Sequence, residues 1–150
     1  MVSRLSALCL PLFLALAVSG CGGSPAATFS AGDLSAVQEA LALRGATIVN
    51  LVSGDPGCEG SDLHSNAVRV ELQLTGEDRQ QRAYLIRWRR PAQFEAGQAA
   101  FDECVSRAGG SSGADAVDTL EVPPWRAHGR SWTPELRRVL EDSLRATGGG

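Results

Sequence analysis

The chain contains no lysine. That excludes a Schiff-base lysine, a Walker-type phosphate lysine and a lysine general base. All 14 basic side chains are arginine, set against 17 acids for a formal net charge of −3. With a sequence pI near 5.4, the charge balance argues against nucleic acid as the main partner. Aromatics are sparse, at 5%, and there are only two histidines, His64 and His128. Triad chemistry needs a serine on a strained turn with oxyanion donors nearby, and nothing in the sequence marks one. There is no internal repeat. What remains is ordinary globular material: 43% hydrophobic and 21% charged residues over 150 positions, enough for one domain with a core. Glycine is abundant at 17, so part of the length is expected to be linker.

The first residues carry an address. Met1–Arg4 is short and positively charged, and Leu5–Val18 is an apolar run interrupted by Pro11. A bilayer-spanning helix needs about 20 apolar residues, so this run reads as a secretory signal. It ends in Val18-Ser19-Gly20-Cys21, which resembles the lipobox of bacterial lipoproteins. The resemblance covers the first 21 residues and names no family for residues 22–150. It implies that residues 1–20 are removed and that a diacylglycerol is joined by thioether to Cys21. It also implies export and anchoring by lipid to the outer side of a bacterial membrane. Gly22 is not aspartate, which by the same analogy does not favour inner-membrane retention in double-membraned bacteria. Two or more acyl chains anchor stably where one does not. Residues 21–29 then read as the lipidated cysteine and a flexible tether.

Of the four cysteines, Cys9 leaves with the signal and Cys21 is taken by the lipid. Cys58 and Cys104 remain, an even pair in an oxidising compartment, and are expected to form a disulfide. Cys58 and His64, with Glu59 and Asp62 between them, match no zinc spacing, so no metal and no cofactor is expected.

Residues 30–147 read as a single α+β domain. Periodicity predicts a first helix over 31–44, with Ser30 as cap and Gly45 as stop. Strands follow over 46–52, 67–74 and 83–89. The expected register of the last two sets Leu74 opposite Tyr84 and Glu71 opposite Arg87, with Tyr84, Ile86 and Trp88 on the buried face. A second helix starts at Pro91, carries Phe94, Phe101 and Cys104 on one face, and ends at Gly109-Gly110. A mobile Gly/Ser segment near 109–116 and a short edge strand over 117–122 come next, ended by Pro123-Pro124. Trp125–Arg130 reads as a polar loop. Thr133-Pro134-Glu135 opens a last helix, and 148–150 is a frayed tail. The expected fold is a small antiparallel sheet of three to four strands with helices packed on one face, in the order α-β-β-β-α-(β)-α.

Candidate surface features are an anion or partner patch of Arg69, Arg87, Arg89 and Arg90, and an interface at Trp125 and Trp132. The bland reading of the arginines is a solvated strand face. That of the tryptophans is a cover over the sheet that anchors the last helix. His64 with Asp62 or Glu59, or His128, would serve a small hydrolase, the least favoured role. The leading expectation is a non-catalytic binding or envelope-structural module whose partner is an envelope protein or polymer. A small-ligand-binding or envelope-stress module, with a pocket between the second helix and the sheet, is the alternative.

Overall fold

The computed structural model describes residues 31–109 and 116–148. The lipobox, the tether, Ser30, the Gly/Ser segment 110–115 and the final two glycines lie outside the described residues. The described elements are α1 (Ala31–Ala42), β1 (Ala46–Ser53), a 3-10 turn (Asp62–Asn66), β2 (Ala67–Leu74), β3 (Gln80–Arg87), α2 (Pro91–Ala96), α3 (Gln98–Gly109), β4 (Val117–Val122), β5 (Trp125–Arg130) and α4 (Pro134–Gly148). The class is α+β, but the sheet has five strands, ordered β1-β2-β3-β5-β4 and antiparallel throughout. Both the expected strand count and the expected element order are therefore corrected.

The added strand is β5, at the segment read as a polar loop. It inserts between β3 and β4. Its residues alternate, but one face carries Trp125, Ala127 and Gly129, and the other Arg126, His128 and Arg130. No β-branched residue marks it, and its polar members Arg126 and His128 are fully buried. Pro123-Pro124 does end β4, by forming the two-residue turn that sends the chain back as β5, with Val122 paired to Trp125.

Helices cover both faces of the sheet, not one. On the first face, Val37 and Leu41 of α1 and Leu136, Leu140 and Leu144 of α4 bury against Val68, Val70 and Leu72 of β2 and Leu85 of β3. Thr133 caps α4 as its sequence predicts, accepting from the Leu136 N–H at 3.2 Å. On the second face, the 3-10 turn, α2 and α3 enclose a separate core of Leu63, Ile86, Trp88, Phe94, Phe101 and the two cysteines.

This second core exists because the β2–β3 register differs from expectation. The observed pairs include Val68 with Leu85, Val70 with Ala83 and Glu71 with Arg82. Leu74 does not face Tyr84, nor does Glu71 face Arg87. The pairing differs from the expected one by an odd number of residues, which moves every β3 side chain to the opposite face. Tyr84, Ile86 and Trp88 thus leave the α1–α4 core for the second one. The register is supported by a 2.7 Å ion pair from Arg82 Nε to Glu71 Oε1.

The expected single second helix is broken in two at Gly97. A Cβ there would lie 2.6 Å from the Trp88 ring, so only glycine lets the chain pass over that indole. Its φ of −78° suits any residue. Replacing glycine by alanine at a backbone-compatible position ordinarily stabilises by about 0.4–1 kcal/mol. Gly97→Ala is expected instead to destabilise by about 1–3 kcal/mol, the usual cost of overpacking, as read from the urea midpoint. A gain in stability would contradict the close Trp88 contact.

Candidate functional site

The second face is organised by the long loop between β1 and β2. Asp55 Oδ1 accepts the Gly57 N–H at 2.9 Å, which tightens the turn at Pro56. His64 Nδ1–H donates to the Gly54 carbonyl at 2.8 Å, and Arg107 Nη1 donates to the Glu59 carbonyl at 2.9 Å. Cys58 is joined to Cys104 of α3, with a Cα–Cα distance of 5.3 Å. The loop is thereby held against α3 and the sheet at several points.

His128 lies where these elements meet. Its ring is 1% exposed and stacks on Tyr84 at 4.8 Å between centroids. Phe101 meets it edge-on at 5.9 Å. Nε2–H donates to the Pro56 carbonyl at 2.8 Å, which fixes the neutral tautomer with Nδ1 as the unprotonated nitrogen. The Cys104 sulfur lies 3.8 Å from Nε2. Burial pushes the His128 pKa below its ordinary value of 6.5, opposed by the Pro56 carbonyl and the Asp55 charge.

A cavity of about 380 Å³ opens beside this ring, lined by Gly57, Arg82, Tyr84, Ala108, Val117, His128, Gly129 and Arg130. It sits between the C-terminal end of α3 and the sheet, and its volume is within the usual range for small-ligand sites. A Cβ on Gly57 would lie 2.7 Å from the Tyr84 ring. The cavity wall at Gly57 therefore fits only because that side chain is missing. Sequence reasoning missed Tyr84, Arg82 and Arg130 as members of one site. Finding them required the strand identity of Trp125–Arg130, for which the alternation of bulky, polar and small residues was the one available signal.

Another buried polar residue that the sequence did not point to is Arg126. It is 0% exposed. Its Nη1 donates to the Phe94 carbonyl at 2.6 Å and its Nη2 to Glu121 Oε1 at 3.2 Å. The guanidinium lies 3.8 Å from the Phe94 centroid and 5.2 Å from that of Trp88. It serves as a charged plug of the second core and is not an accessible ligand group.

The four arginines expected as a patch are not all brought together: only Arg87 and Arg89 line one cavity. Arg69 pairs with Asp55 at 3.2 Å on the loop side of the sheet. Arg87 pairs with Asp33 at 3.1 Å and lies over the Trp125 ring on the α1–α4 side. Arg89 borders a smaller cavity of about 270 Å³ with Arg87, Pro91 and Glu95, and Arg90 is the exposed residue preceding α2. Trp125 and Trp132 are 0% and 8% exposed, so they offer no surface to a partner. Trp132 Nε1–H donates to the Arg82 carbonyl at 2.8 Å, beneath the α4 start. His64 is exposed, with Nδ1 bonded to Gly54, and it is not joined to Asp62 or Glu59. Among the described residues no group of three or more His, Cys, Asp or Glu could hold a metal. None of the described helices is long and apolar enough to cross a membrane.

The fold and site define an α+β domain with a five-stranded antiparallel sheet sandwiched by helices and a cavity beside His128 on one face. No family model, curated protein or solved structure matches the chain.

Because folding lowers the His128 pKa, the folded state binds fewer protons than the unfolded chain near and below pH 6.5. The stability linked to the neutral ring is complete above the unfolded value and is lost as pH falls through it toward the folded one. Between about pH 7.5 and pH 5.5 the denaturation midpoint is expected to fall, and His128→Phe is expected to flatten that slope. An equal slope in the variant would remove His128 as its source.

Proposed function

We propose that this chain is an exported lipoprotein, anchored through Cys21, whose domain works outside the cytosol as a binding module using the cavity beside His128. The observation that carries the location is the pattern of cysteine use. The two cysteines inside the folded domain are joined to each other, as an oxidising compartment favours. The two others lie in and at the end of the apolar leader, before the domain begins. The lipobox-like Val18-Ser19-Gly20-Cys21 accounts for the second of these.

Support for binding comes from how the polar groups near the cavity are employed. His128 Nε2 is held by Pro56 and Arg82 by Glu71, so each builds the wall. A small ligand fits this reading better than a large partner docked on the four arginines and two tryptophans, because those residues are dispersed or buried.

The location is tested by fractionation. The native chain is expected in the membrane fraction, with fatty acid incorporated. Cys21→Ser is expected to lose both the label and the membrane association. Unchanged fractionation of the variant would overturn the lipoprotein reading.

A further inference from the structure

We propose that the cavity beside His128 is an oxyanion site, taking a small ligand through a carboxylate or phosphate group held between Arg82 and Arg130. This rests on the binding role given above and adds the chemistry of the ligand.

The strand register carries it. Ala83 pairs with Gly129 between β3 and β5. The ladder ends at this pair; Arg82 and Arg130 are the next residue on each strand, and both line the cavity. Like charges held close on adjacent strands destabilise a sheet. The row continues to Glu71, which pairs with Arg82 across β2 and β3 and bonds it at 2.7 Å. Val117 flanks Arg130 on β4. Two guanidiniums in this row therefore share one carboxylate among the described residues. Arg130 has no ion-pair partner there, and no acidic residue is among those lining the cavity. An oxyanion between the two arginines supplies the missing charge, and the planar guanidinium suits a bidentate carboxylate or phosphate.

The remaining walls fit the rest of a small ligand. Tyr84 presents a ring with a polar tip, while Ala108 and Val117 supply apolar surface.

The test is calorimetric titration of the full chain in detergent with inorganic phosphate and, separately, with benzoate, against chloride as control. Saturable binding of at least one oxyanion is expected, weakening as salt is raised. Phosphate alone would place the ligand among phosphate esters, and benzoate alone or both would place it among carboxylates. Arg130→Gln, at an exposed residue, is expected to weaken binding by about tenfold or more, while Arg90→Gln leaves it unchanged. Absence of saturable binding by either anion, or equal binding by Arg130→Gln, would overturn the site. Titration of purified chain does not depend on export, so such a failure would leave the Cys21 anchor standing, and a failed fractionation test would leave the site standing.

Discussion

The second face of the sheet depends on one constraint: the β1–β2 loop is fastened down at Cys58–Cys104 and at the Pro56 carbonyl that accepts from His128. Without that cover, the sheet would turn Tyr84 and His128 toward water, and the core of Leu63, Ile86 and Phe101 would lose much of its shelter. The two cysteines stand 46 residues apart, and closing a loop of that length contributes about 4 kcal/mol in the chain-entropy treatment. That is a large share of the 5–15 kcal/mol by which a typical domain is stable. The α1–α4 face needs no such aid, because apolar side chains of two helices and all five strands fill it.

Burying Arg126 has a desolvation cost that a single surface ion pair would not offset. Here the guanidinium meets a carbonyl, a carboxylate and the faces of Phe94 and Trp88 together. Arginine suits this position because its charge is delocalised over a plane that can stack. The outer strands are guarded in a related way. On β1 the register is interrupted between Ile48 and Asn50, and the Asn50 side chain accepts the N–H of Leu51 at 2.8 Å. On β4 the Thr119 carbonyl accepts from Arg137 at 2.9 Å. Both devices occupy backbone groups that would otherwise recruit another strand.

Elements with strong local signals were legible in the sequence. β2 shows clean alternation and was bounded at 67–74. α4 opens on Thr133-Pro134-Glu135. The cysteine pair followed from counting. What escaped notice depends on long-range packing. Arg126 and His128 look like loop residues because their burial is created at a distance: by Trp88 and by Phe94 of α2 over Arg126, and by Phe101 of α3 and the Pro56 loop, 72 positions earlier, over His128. Without β5 a sequence reading has only one core for Tyr84 and Trp88 to join, and that core requires a β2–β3 register different from the observed one. The candidate site went with it. Arg82, Tyr84, His128 and Arg130 come together only once β5 lies beside β3. The expectation of a pocket between the second helix and the sheet did locate its neighbourhood, without its residues.

Amide hydrogen exchange on the oxidised and the reduced chain tests the role of the fastened loop most directly, since exchange resolves local opening from global unfolding. Reduction is expected to raise exchange over 54–66, α3 and β5 while α1, α4 and β2 keep their protection. Unchanged protection of the loop and α3 after reduction would contradict a second face held together by the Cys58–Cys104 crosslink.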